Sequence, residues 1–242
     1  MKKVSIAIFI TVPLVIVAVL FNSNITLRYL FRNKVWAHKV NSIEKLNKIQ
    51  NKFTGIEFDV IFYNNKEGVF FDINHPPDSS TNLSLTKYLQ LLPETCVYKF
   101  WIDFKNLKQD NELLSSIRLD SIATAFDINK GNIIVESIRP WCLEYFKEKG
   151  FRTSYYLPSD LHTLDPVILH STIEKISKTI SLYRTDYISA DYKDYLILKK
   201  YFPEKKKIFW FTTYGTMNIS KARILLYKIL TDDKVDVLLI PC

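Results

Sequence analysis

Charged side chains recur at two-residue spacing inside short apolar runs: Glu57 and Asp59 in GIEFDVIF, Asp103 and Lys105 in FWIDFKNL. Residues two apart on a strand share a face. Each run would therefore present a charged pair on one side and Phe58, Val60, Ile102 or Phe104 on the other. Three carboxylates converging in one place repel each other strongly unless a cation joins them. All-oxygen ligation suits Mg²⁺ or Ca²⁺ rather than zinc. Taken singly, each acid is expected to pair with a lysine or arginine; as a set, Glu57, Asp59 and Asp103 are expected to bind a divalent metal. His38 closes the run VWAH, and His75 lies in the segment NHPP. Histidines flanking a carboxylate cluster can divide acid and base work. His162 and His170 have no such setting and are read as incidental. Glu136 and Asp191 end later apolar runs, and Trp36, Trp101 and Trp210 are expected in the core or in a pocket wall.

Positioning these groups requires a scaffold that brings distant strand ends together. β-rich runs occur at 35–38, 55–62, 98–104, 132–136, 152–157, 187–191, 208–212 and 235–240. Most are dominated by Ile, Val, Phe, Tyr and Trp, as strands covered on both faces should be. An extra short strand is expected at 69–72, paired back across a turn at Asn64, Asn65 and Lys66. Helical signals lie between the runs. Asp165 and Pro166 read as an N-cap and a first-turn proline. Pro140 opens a second helix with Leu143 and Phe146 on one face, and Ala222, Leu225, Leu226, Ile229 and Leu230 form a third stripe. Eight strands alternating with helices predict a (β/α)₈ TIM barrel. An open doubly wound sheet would want a Gly-rich phosphate loop after its first strand, and none is present. The sequence ends at Cys242 directly after the last strand, so the barrel reads as slightly trimmed at the C-terminus, with residues 25–34 expected to cover that seam. Functional groups of such barrels lie at the C-terminal strand ends, where His38, Glu57, Asp59, Asp103, Lys105, Glu136 and Asp191 fall.

Composition sets the outer bounds. The 242 residues are 48% hydrophobic and carry only 5 Gly and 9 Pro, which excludes low-complexity and wholly disordered chains. Three widely spaced cysteines exclude a disulfide framework or a CxxC metal knot. The net charge of +8 permits anionic partners; a lipid or other phosphodiester is expected, and nucleic acid is not. Residues 4–21 carry no charge and follow Lys2 and Lys3. The run is about as long as the roughly 20 apolar residues that cross a bilayer. Residues 19–23 lack the small side chains of a signal-peptidase site. An uncleaved single-pass transmembrane anchor is therefore expected at 1–27, ahead of one domain at 28–242. The very short N-terminal tail argues that it stays inside and the barrel lies outside the cytoplasm; Arg28, Arg32 and Lys34 argue the reverse. The outside placement is preferred because a short N-terminal anchor resembles an export signal.

At the charged runs the sequence resembles the phospholipase C-like phosphodiesterases, which include the glycerophosphodiester phosphodiesterases. WAHKVNSIEKL followed by GIEFDVIF is similar to their first-strand histidine and second-strand Glu-x-Asp. FWIDFKNL resembles their third-strand acid and lysine, and IFWFTT their tryptophan-threonine strand. HKVN and DFK are similar to sphingomyelinase D, and FDINHPPDSSTNLSLTKYL with IDFKNL to the menorin family. The resemblance implies a metal held by Glu57, Asp59 and Asp103, catalytic His38 and His75, and Lys105 near the phosphate. With Lys105, Glu136 and Trp210 are assigned to substrate. Lys39-Val40 stands where glycerophosphodiesterases usually have Arg-Gly, and Asp103 where they have Glu. The expected function is metal-dependent hydrolysis of a glycerophosphodiester or a phospholipid or lysophospholipid headgroup. A catalytically silent barrel that binds headgroups or a partner protein is the alternative. A glycosidase using Glu136 is a remote third, because the strand that usually supplies its second carboxylate ends in Thr212.

Overall fold

Strand-forming residues alternate along this chain so that one set fills a barrel and the other set meets the helices around it. The computed structural model describes residues 23–242 apart from 67, 79, 81, 93–97 and 213–218. Eight parallel strands close on themselves: β1 (Val35–His38), β2 (Gly55–Asn65), β4 (Lys99–Phe104), β5 (Ile133–Ser137), β6 (Arg152–Tyr156), β7 (Tyr187–Asp191), β8 (Lys206–Trp210) and β9 (Val235–Pro241). Closure is asymmetric. β1 pairs with β9 over Val35 to His38, but meets β2 only at Ala37↔Ile56. β3 (Gly68–Ile73) runs antiparallel to the far half of β2. Their ladder continues to Asn65↔Gly68, so Asn64 and Asn65 lie in the strand rather than in the turn. Gly68 has φ +123°, which favours glycine at that corner.

The helices that follow the strands are α2 (Ile43–Ile49), α3 (Leu85–Gln90), α4 (Glu112–Ala125), α5 (Glu144–Glu148), α6 (Pro166–Tyr183), α7 (Tyr195–Tyr201) and α8 (Ile219–Thr231). Short polar side chains start several of them. Ser42 and Ser84 accept from the amides of Lys45 and Lys87, and Asp165 caps α6 ahead of Pro166. Pro140 opens a 3₁₀ turn over Pro140–Cys142 before α5, so the helix expected there is split. Every residue of the third stripe, from Ala222 to Leu230, is buried on α8.

The core has two compartments. Inside the barrel, Trp36, Trp101, Ile134, Tyr187, Ile208, Val237 and Leu239 pack together. Outside it, Phe58, Val60, Ile102 and Phe104 join the larger cluster beneath the helices. An additional helix, α1 (Asn24–Leu30), begins ahead of the domain boundary expected at residue 28. Its Leu27 is fully buried, and Phe31 at its end packs edge-on to Tyr227 of α8 at 6.0 Å. Residues 24–31 therefore lie against the last helix, where the seam was expected to need cover. The apolar run at 4–21 lies outside the described residues, among which no helix is long and apolar enough to cross a membrane.

Candidate active site

Parallel strands deliver all their C-terminal ends to one mouth. β2 turns Glu57 and Asp59 into it and sends Phe58 and Val60 outward. In register beside Asp59 stands Asp103 on β4, and beside Asp103 stands Glu136 on β5. Oxygens of Glu57, Asp59 and Asp103 lie within 4.8 Å of one another. The Lys105 ammonium sits 2.8 Å from Asp59 Oδ1 and also pairs with Asp103. A cavity of about 100 Å³ opens over this group. His38, His75, Glu57, Asp59, Asp103, Lys105, Glu136 and Trp210 all line it. Trp36 lies in the barrel interior beneath, and Trp101 forms part of the cavity wall. Asp191 is not among the lining residues; its carboxylate instead accepts from the Lys193 amide and caps the turn after β7. His162 is held away from the cavity by Asp194, which accepts from its backbone N–H at 2.8 Å and lies 2.6 Å from Nδ1.

Burial dominates the electrostatics. Burial first, then the charges of Asp59 and Asp103, hold the Glu57 carboxyl well above the usual carboxylate range. Burial also raises Asp103, against the opposing pull of Lys105. Burial, and then Asp103, push Glu136 up to about 8. For Lys105 burial alone would lower the pKa, but Asp103 and Asp59 outweigh it and keep the ammonium charged. His38 is lowered to about 4 by burial and by neighbouring Lys39, so it is neutral at pH 7, and its Nε2 lies 3.7 Å from Glu57. One ammonium thus faces three crowded acids. That surplus of carboxyl oxygen, ionised on binding, is what a hard divalent cation would complete, and the donor set fits one.

Other residues hold this geometry and carry weaker signals in the sequence. Asn41 clasps Asp59 from both sides: its Nδ2 donates to Oδ2, and its Oδ1 accepts the Asp59 amide at 2.9 Å. Lys39 takes φ +54°, which aims its amide at Glu57 Oε2 from 2.7 Å. Tyr156 stacks on Trp210 at 4.7 Å and 17°, forming one wall of the cavity. Asn41 and Lys39 lie within the HKVN segment, so the signal for them was its family likeness; nothing in its spacing singles them out.

No family model matches the chain, and no curated protein matches it by sequence. Solved structures do. A glycerophosphodiester phosphodiesterase of Parabacteroides distasonis superposes with a TM-score of 0.57 at 14% identity, covering 86% of this chain and 92% of its own. A phosphodiesterase of Oleispira antarctica, in complex with the product sn-glycerol-3-phosphate, gives 0.56 at 12% identity, covering 87% and 94%. The chain therefore has the TIM-barrel fold found in glycerophosphodiester phosphodiesterases.

Proposed function

We propose that this chain is a metal-dependent phosphodiester hydrolase acting on a glycerophosphodiester or on a phospholipid or lysophospholipid headgroup. The observation that carries the reading is the convergence of Glu57, Asp59 and Asp103, bridged by Lys105 and lined by His38 and His75, in one cavity at a barrel mouth. Glu57, Asp59 and Asp103 would hold Mg²⁺ or Ca²⁺. Bound there, the cation supplies Lewis-acid stabilisation of a phosphoryl oxygen. Lys105 adds fixed positive charge where negative charge develops. His38, a neutral imidazole at pH 7, is in the form that takes the proton of a water attacking phosphorus, or that attacks phosphorus itself to give a phosphohistidine that water then cleaves. His75 then protonates the leaving oxygen. Tyr156 and Trp210 offer an apolar wall to the remainder of the substrate, and Glu136 a hydrogen-bonding carboxyl. The apolar run at 4–21 serves as a single-pass anchor with the barrel outside the cytoplasm.

The test is turnover by the full chain, purified in detergent, on a panel of glycerophosphodiesters and lysophospholipids with and without Mg²⁺ or Ca²⁺. Turnover should require the metal. His38→Ala and His75→Ala should each lower it by about 10²- to 10⁴-fold, the usual loss of a general acid or base, while calorimetry finds metal affinity kept. Asp59→Asn should lose the metal itself. A chain that binds neither ion and cleaves nothing on the panel would favour the silent barrel that binds headgroups or a partner protein.

A further inference from the structure

We infer that the barrel is held with its catalytic mouth turned towards the bilayer, which rests on the reading of residues 4–21 as a membrane anchor. The argument is the direction of α1. In this fold each helix starts near the mouth and returns to the base, so α8 runs mouthward to baseward from Ile219 to Thr231. Asn24 Oδ1 accepts from Arg223 in the first half of α8, and Phe31 meets Tyr227 one turn further down. At the base, Arg32 O accepts from Thr54 just ahead of β2, and Lys34 Nζ donates to Asp232 O at the end of α8. α1 thus descends alongside α8, and its first residue points up the side of the barrel towards the mouth. Only Asn22 and Ser23 separate Phe21 from Asn24, a link that reaches at most about 10 Å. A bilayer holding residues 4–21 therefore meets the molecule on its mouth side.

Exposed apolar groups lie along that approach. Ile25 (67% exposed) projects outward from the mouthward end of α1, and Ile219 (54%) stands at the mouthward start of α8. Isoleucine is among the side chains that transfer favourably into a bilayer. The base carries exposed Tyr29 and Leu30 at the lower end of α1, and a second cavity there, of about 220 Å³, is bordered by Lys34, Lys99, Arg152 and Asp236. Those cations would attract anionic lipid, but that attraction fades within a Debye length of about 8 Å. A strand length, roughly 17–20 Å, separates base from mouth, so the short link decides the orientation. The substrate class follows: headgroups presented by the bilayer itself reach the acidic cluster without leaving it.

The full chain reconstituted into vesicles of phosphatidylcholine and phosphatidylserine tests this. A fluorescent unnatural amino acid replaces Ile219 near the mouth or Lys206 at the base, and spin-labelled lipids act as quenchers. The probe at 219 should be quenched several-fold more strongly than the probe at 206, and the contrast should survive about 1 M salt, where the Debye length falls to about 3 Å. Equal quenching, stronger quenching at 206, or a contrast abolished by salt overturns the orientation while leaving the anchor in place. A chain that fails to float with vesicles overturns the anchor reading and the orientation with it.

Discussion

Glu136 is enclosed by Asp103 on β4 and by Ser154 and Ser189 on the far strands. Its folded-state pKa of about 8 lies above the ordinary 4.5, so between those values the native protein holds a proton that the unfolded chain has released. Stability then falls as pH rises through that window. In metal-free protein, Glu136→Gln should gain in Tm over the parent as pH climbs from 4.5 towards 8 and stay level above it. Thermal melts across that range check this; a constant difference would mean that the carboxyl is ionised throughout. The charged pairs at two-residue spacing were readable in the sequence because strand geometry alone puts Glu57 with Asp59 and Asp103 with Lys105. Asn41 was not, because its clasp on Asp59 depends on how the chain leaves β1, which no period reports.

Among the secondary structures, strands with long β-branched and aromatic runs were placed to within a few residues, and helices with a clean apolar stripe followed. α4 escaped notice for a physical reason: Leu113 and Ile117 are exposed while Ser115 and Ser116 are buried, so the pattern of its first half is inverted, although Leu119, Ile122 and Ala123 beyond are buried. The start of β2 shows how tightly these elements approach. A Cβ at Gly55 would come within 2.2 Å of the Trp36 ring inside the barrel. Gly55→Ala must push the indole or the strand aside, at a cost of about 1–3 kcal/mol from overpacking. Denaturant unfolding should show the loss, and pairing it with Trp36→Leu should recover part of it.

For the molecule as one body, the weak point is the β1–β2 pairing that completes the barrel, since β1 pairs along its whole length with β9. β1 touches β2 at one pair, and α1 lies against α8 near this join. Leu27, fully buried there, ties the N-terminal helix into the main core. Leu27→Ala should cost about 2–5 kcal/mol, the range for a buried leucine, and should hasten amide exchange in β1 before other strands. Unchanged exchange in β1 would mean that the barrel closes without α1. That eight strands would close into a barrel was evident from their number and alternation; the asymmetry of the closure was not, since pairing length depends on strand tilt and stagger.

Lys105 settles the order in which the protein is made ready for work. Its ammonium lies between Asp59 and Asp103, and Glu57 and Asp103 tolerate protonation, so the acidic cluster has an internal counter-ion from the moment the strands meet. Folding need not wait for a metal, unlike a small zinc domain that is unfolded until loaded. Under the metal-dependent reading proposed above, the chain can fold as apoprotein and take up its cation afterwards, releasing protons as it loads. Chelation should accordingly stop turnover and lower Tm only by the mass-action share of lost binding, with the far-ultraviolet circular dichroism unchanged. Collapse of that spectrum in chelator would instead make the metal part of the scaffold.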